Sequence, residues 1–247
     1  MLAGLLAGLL VFGFGKVVGE PRVDRAISFE SAQDDAKAER AKGIRVEAEP
    51  ELVSREVQAG LGLFTGVMVY STAFGGLFAL VFAVANGRAV KLGPRATSAL
   101  LAVPGFIAVY VVPNLKYPAN PPSVGQPDTI GARTALYFIM LALSVAAMAG
   151  AAMLRKRLAA QYGEWTAALI AAAVYLVAVI AVAGILPGIN EVPDEFPAVL
   201  LWQFRVASFG MQLIMWATIG LVFGALAERA FAGHGGRLAV RRSEFGV

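Results

Sequence analysis

The residues best suited to chemistry lie in one short acidic segment between two apolar runs. Asn190, Glu191 and Asp194 occur in the sequence LPGINEVPDEFPAV, whose prolines restrict the backbone. Carboxylate and amide oxygens are good ligands for magnesium, calcium and manganese, and weaker ligands than imidazole for cobalt or nickel. We therefore predict these three residues as candidate metal ligands. The same residue types are also common in an ordinary turn that ends a helix, and this alternative stays open.

A single arginine, Arg205, follows this segment inside the apolar sequence LLWQFRVASFGMQLIMW. An arginine at or within a membrane boundary is costly unless its guanidinium group reaches water or a partner. We therefore predict an ion pair between Arg205 and Glu191, Asp194 or Asp128.

A second unusual segment, NLKYPANPPSVGQPDTIG, begins at Asn114. Lys116 and Tyr117 suit a membrane interface, and the run from Pro118 to Pro122 favours an extended, stiff backbone. Two stiff segments of this kind predict a shaped mouth or a docking surface if they lie on the same side of the membrane.

Other chemistries lack the residues they need. The chain has no cysteine, one histidine in the tail sequence AGHGG, no G-x-x-x-x-G-K-[ST] and no H-E-x-x-H. No nucleophile–base pair is visible either. We therefore predict a protein that is not an enzyme, does not hydrolyse ATP and binds no cofactor tightly.

The composition predicts a membrane protein. Hydrophobic residues make up 58% of the chain and charged residues 15%, whereas soluble domains contain about 25% charged residues. The basic residues that give the net charge of +4 flank the apolar runs, so they do not indicate binding to nucleic acid. We expect the chain to contact membrane lipid instead.

The positioning elements are predicted to be membrane-spanning helices. The first run, 1–18, lacks the basic start and the cleavage site of a signal peptide, so we assign it to a first transmembrane helix. Residues 19–56 form a polar extramembrane loop, either a solvated linker or an acidic surface that collects ions. A five-helix bundle over 57–228 and a basic cytoplasmic tail over 229–247 follow. The apolar runs of that bundle are 57–85, 97–113, 134–154, 165–186 and 200–227. The predicted fold class is an all-α polytopic helical bundle of about six spans, or five if the first run does not cross.

The connections between the spans predict the orientation. Basic residues are concentrated between spans two and three, between spans four and five, and after span six. They are Arg88, Lys91, Arg95, Arg155, Lys156, Arg157, Arg229, Arg237, Arg241 and Arg242. The positive-inside rule then places both termini in the cytoplasm and both proline-rich segments on the outer face.

The two proline-rich segments also carry a resemblance. KYPANPPSVG, LPGINEVP, FPA, LLWQFR and AS resemble the signature of the CbtA family of predicted cobalt transporter subunits. This resemblance implies a bacterial inner-membrane subunit that moves Co²⁺ and is linked to cobalamin metabolism. It also implies a small, single-span, histidine-rich partner of the CbtB type. The chain departs from the family in its first extramembrane segment, where 19–56 contains no histidine.

The resemblance also extends the set of candidate residues. Its motifs fall on Lys116, Tyr117, Pro118, Asn120, Pro121, Pro122, Gly125, Pro187, Asn190, Glu191, Pro193, Phe196, Pro197, Trp202, Arg205 and Ser208. Residue types and resemblance together assign structural or gating roles to Lys116, Tyr117, Asn120, Pro121, Pro122, Pro193, Trp202 and Arg205. The alternative function is a non-transporting membrane scaffold whose outer loops dock a partner, and small-residue helix faces also leave a homo-oligomer open.

Overall fold

The computed structural model describes residues 1–40, 53–87, 92–122 and 124–244, and within this part of the chain the architecture is helical. The α-helices are α1 (Leu2–Phe14), α2 (Glu20–Arg40), α3 (Arg55–Val57), α4 (Leu63–Ala85), α5 (Pro94–Phe106), α6 (Val112–Lys116), α7 (Ile130–Ile185) and α8 (Ala198–Glu244). Three π-helical turns, Gly15–Gly19, Gln58–Gly62 and Ile107–Val111, join successive helices without a break. A 3₁₀ turn, Pro127–Thr129, precedes α7.

Five continuous helical stretches are long and apolar enough to cross a membrane. They are Leu2–Gln33, Arg55–Ala85, Pro94–Lys116, Pro127–Ile185 and Ala198–Ala232. The chain is therefore a multi-pass membrane protein with an all-α fold, as the sequence predicts. Pro104 lies inside α5, and the π-helical turn Ile107–Val111 follows it closely.

The fourth stretch, at 59 residues, contains two spans rather than one. At 1.5 Å per residue it would measure about 90 Å, roughly three times the thickness of the bilayer core. Gly163 interrupts the helix with φ 78° and ψ 160°, a conformation that residues with a Cβ rarely adopt. With this break counted, the described residues contain the six spans predicted from the apolar runs.

The two halves of α7 fold back against each other. Ser144 in the first half and Tyr175 in the second form a hydrogen bond of 2.9 Å between their hydroxyl groups. Met140 is buried in the same interface, together with Val179. Near the break, Arg155 Nη1 lies 2.6 Å from Glu164 Oε2. Residues 130–162 and 164–185 are therefore the two arms of a helical hairpin.

The described chain forms two compact units. The first consists of Met1–Val18, Pro50–Val103 and Phe209–Val247. Its α1 and α4 approach so closely that a Cβ on Gly75 would lie 2.9 Å from Gly4 Cα. Ser98 donates a buried hydrogen bond of 2.6 Å to Gly220 O, and so connects α5 to α8.

The second unit consists of Gly19–Glu49 and Pro104–Ser208. It contains the α7 hairpin, both proline-rich segments and α2. The polar segment 19–56 is thus helical over Glu20–Arg40, and its residues 41–52 lie outside the described part. Ala26 of α2 is fully buried, and Phe29 packs edge to face on Phe196 with ring centroids 5.2 Å apart. This helix is therefore packed against the second proline-rich segment.

Candidate functional site

The two proline-rich segments meet, as predicted, and the carboxylate of Glu191 joins them. We call 117–129 the first loop and 186–197 the second loop. Glu191 Oε2 in the second loop accepts a 2.8 Å hydrogen bond from the Gln126 backbone N–H and a 2.9 Å hydrogen bond from Thr129 Oγ1. Both donors belong to the first loop, so one oxygen atom connects segments that are more than 60 residues apart in the chain.

Arg133, in the first turn of α7, completes this junction. Its Nε lies 3.4 Å from Glu191 Oε2, an ion pair rather than a hydrogen bond, and its Nη2 donates to Gln126 O at 3.1 Å. Gly125 lies beside the guanidinium group with φ 116°, which a residue with a Cβ rarely adopts. A Cβ at this position would also lie 2.6 Å from Arg133 Cζ, so a larger residue would require the guanidinium group to move.

These contacts stabilise Glu191 in its charged form. The hydrogen bond from the Gln126 backbone N–H lowers the pKa of the carboxyl below its ordinary value, and the Thr129 hydroxyl and the Arg133 charge act in the same direction. Glu191 is only 15% exposed, and its carboxylate carries a structural junction. We conclude that Glu191 is ionised at neutral pH and fixed in position.

A second contact joins the loops at Tyr117. Its hydroxyl donates a 2.8 Å hydrogen bond to Pro187 O, directly after α7 ends. Lys116 Nζ lies 5.8 Å from the centroid of the Tyr117 ring, within the range of a cation–π contact. A structural or gating role is predicted for both residues, and these contacts are compatible with a structural one.

Arg205 does not form the predicted ion pair, and that prediction is wrong. Its Nε donates to Ala119 O at 3.3 Å and its Nη2 to Asn120 Oδ1 at 2.9 Å. Glu191 is paired with Arg133 instead, because the first loop and the start of α7 bring Arg133 next to it. Arg205 therefore holds the proline-rich first loop through neutral oxygens.

A cavity of about 340 Å³ lies between the loops and the helices that carry them. Its lining residues are Tyr117, Pro118, Asn120, Val124, Ile130, Arg133, Thr134, Tyr137, Ile189, Asn190, Glu191, Val192 and Arg205. The volume falls within the range of small-molecule pockets, about 300–1,000 Å³. The loops are thus arranged around a space that a ligand can occupy.

The predicted metal ligands are not brought together as a cluster. Asn190 is exposed and lines the cavity, Glu191 is engaged in the junction, and Asp194 is exposed and does not line the cavity. Among the described residues, no group of three or more histidine, cysteine or acidic side chains could hold a metal ion. Metal binding by these three residues stays a prediction.

The remaining candidates differ in their surroundings. Pro121 is buried, Pro122 is exposed and Pro193 is half-buried. The backbone N–H of Phe196 donates to Pro193 O at 3.0 Å, which closes a turn before α8. Trp202 is 68% exposed and contributes to the outer surface of α8. Trp202 is not among the residues that line the cavity, so its position does not support a gating role.

The sequence reasoning missed three residues of the junction: Gln126, Thr129 and Arg133. Arg133 carried a usable signal, since it is a charged residue a few positions before an apolar run in TIGARTALYF. Gln126 contributes through its backbone, which no side-chain pattern reveals.

The comparisons with known proteins agree with the resemblance seen in the sequence. No curated protein and no solved structure matches the chain. Residues 1–228 match the family described as "Probable cobalt transporter subunit (CbtA)", a match that includes both loops. The chain therefore belongs to the CbtA family of transporter subunits.

Proposed function

We propose that this protein is the membrane subunit of a transporter for a divalent metal ion, and that this ion is cobalt. In this proposal the two loops form the outer mouth of the transporter. The observation that carries the proposal is the family match over 1–228. The loops add support, because they are held in one defined arrangement around a cavity.

The proposed contacts with the ion are weak. Asn190 and Asp194 are exposed oxygen donors on the second loop, and Glu191 lies between them in sequence with its charge fixed by the junction. Two or three oxygen ligands bind cobalt less strongly than an imidazole cluster would. Weak binding suits conduction, because the ion must leave the mouth again.

The finer assignments rest on the sequence. The basic connections favour an outer position for the loops and a cytoplasmic position for both termini in a bacterial inner membrane. The packing of α2 on the loops is compatible with this topology, which also places 19–56 outside. We assign the imidazole ligands for cobalt to a small histidine-rich partner of the CbtB type, and the physiological role to cobalamin metabolism.

The test is uptake of radioactive cobalt by a transport-deficient bacterial host that expresses the chain alone or with its partner. Asp194→Asn removes an exposed charge without breaking a contact among the described residues, and Glu195→Gln is the matched control on the neighbouring exposed acid. We expect uptake by the wild type, reduced uptake by Asp194→Asn, and wild-type uptake by Glu195→Gln, all at equal membrane expression.

Two outcomes contradict the proposal. Absence of uptake in every combination, with the protein correctly inserted, favours the scaffold function, in which the loops dock a partner. Equal uptake by Asp194→Asn, Asn190→Ala and the wild type would place the ion path away from the second loop.

A further inference from the structure

The cavity between the loops carries a positive charge that no described acid neutralises. Its lining contains two arginines and one glutamate, so its formal charge is +1. Glu191 is paired with Arg133. Arg205 donates only to neutral oxygens of the first loop, and within the described part of the chain it forms no ion pair.

A charge without an ion pair is unfavourable where it is partly withdrawn from water. Arg205 is less than half exposed and lies about two turns inside α8, within the apolar stretch Ala198–Ala232. A partly buried charge there is stabilised by a counter-ion, and a guanidinium group is the side chain best suited to bind carboxylate oxygens. Only Nε and Nη2 of Arg205 are engaged by the described residues, which leaves Nη1 as a further donor.

We propose that the cavity binds a small organic carboxylate anion, with Arg205 as its main contact. The volume of about 340 Å³ is sufficient for a molecule the size of citrate. Asn120 and Asn190 add amide groups that can donate hydrogen bonds to further carboxylate oxygens.

A carboxylate anion bound to Arg205 changes the electrostatic interaction between the cavity and a cation. With one carboxylate bound, the net charge of the cavity falls from +1 to zero or below, and the repulsion of a divalent ion disappears. Metal and carboxylate then bind together more readily than the bare ion binds alone. This consequence rests on the proposed function, whereas anion binding does not.

The experiment is isothermal titration of the full chain in detergent with citrate in the absence of metal. We expect saturable binding by the wild type and at least tenfold weaker binding by Arg205→Gln. Arg155→Gln is the matched control: it also removes one arginine charge, but Arg155 lies near the Gly163 break and does not line the cavity. It should bind citrate as the wild type does.

A second variant covers the case in which Arg205→Gln fails to fold. Asn120→Asp is nearly isosteric and adds a carboxylate at 2.9 Å from Arg205 Nη2. We expect a raised melting temperature together with at least tenfold weaker citrate binding, because the internal acid replaces the ligand. A purely structural role for Arg205 predicts the first effect without the second.

The outcomes separate the two proposals. Absence of citrate binding by the wild type, or equal binding by the wild type and Asn120→Asp, overturns the anion site. Equal affinity for inorganic phosphate overturns the assignment to carboxylates. Citrate binding that depends on Arg205 in a chain that takes up no cobalt would uphold the anion site and refute the proposed transport.

Discussion

Substitution of Gly125 by alanine should destabilise the junction between the two loops. The structure gives two costs. A residue with a Cβ at φ 116° is strained by about 1–3 kcal/mol. The new Cβ would also lie 2.6 Å from Arg133 Cζ, so the guanidinium group must move away.

The displacement of Arg133 breaks its hydrogen bond to Gln126 O, a loss of about 0.5–1.5 kcal/mol. The two costs together come to about 2–4 kcal/mol. At about 2–4 °C per kcal/mol for a chain of this size, the melting temperature should fall by about 5–15 °C. The assay is thermal unfolding in detergent, followed by the fluorescence of the three tryptophans.

A control variant and a double variant separate the backbone strain from the displacement of Arg133. Gly188→Ala, in the second loop, meets no atom within 4 Å and should change stability by less than about 0.5 kcal/mol. In an Arg133→Ala background, Gly125→Ala should lower the stability only by the cost of the backbone strain. A Gly125→Ala protein that unfolds within 2 °C of the wild type (about 0.5–1 kcal/mol) would refute both the positive φ and the close approach.

Three further predictions concern other contacts. Because the folded-state pKa of Glu191 is lowered from 4.5, its contribution to stability is present above that pH and is lost as the pH falls below it; Glu191→Gln should reduce this acid sensitivity in thermal unfolding. Gly220→Ala should destabilise the protein by about 1–3 kcal/mol in the same assay, because its Cβ would lie 2.6 Å from Ala102 Cβ. Tyr175→Phe should lose about 0.5–1.5 kcal/mol, because it removes the hydroxyl contact with Ser144 inside the α7 hairpin.

Each of these predictions has a control or an outcome that contradicts it. For Glu191→Gln, an acid sensitivity equal to that of the wild type would contradict the stabilising role of the Glu191 charge. For Gly220→Ala, substitution of Gly184, which has open space around it, should be nearly neutral. For Tyr175→Phe, an unchanged melting temperature would mean that the buried hydroxyl pair is not formed.

The sequence predicts the helical spans well because membrane-spanning segments carry their own signal. Each must contain about 20 apolar residues, and each connection must hold the residues that cannot enter the bilayer. The hairpin of α7 follows from this rule too, since the charged run at Arg155 and Lys156 divides two apolar runs. The π-helical turns do not follow from it, because this rule concerns the length of an apolar segment and not the number of residues in a helical turn.

The site is predicted only in part. The convergence of the two loops follows from the alternation of spans, and Glu191 is found because an acid among apolar runs is conspicuous. Its partner is not found: Glu191 pairs with Arg133 rather than with Arg205. The charges alone allow either arginine to pair with Glu191. The choice of Arg133 depends on the backbone turn at Gly125 and on the Gln126 backbone N–H, which cannot be read from the pattern of charged residues.

The π-helical turn Ile107–Val111 has a consequence for how the chain tolerates insertion and deletion. A π-helical turn contains one residue more than the α-helical turn it replaces, so the faces of α5 and α6 differ in phase by roughly 100° from those of a regular helix. Removal of one residue from an ordinary span rotates everything beyond it out of register. Removal of one residue within 107–111 lets the turn relax to α-helical geometry, so this segment is a place where the span can lose a residue and still present the same faces to its neighbours.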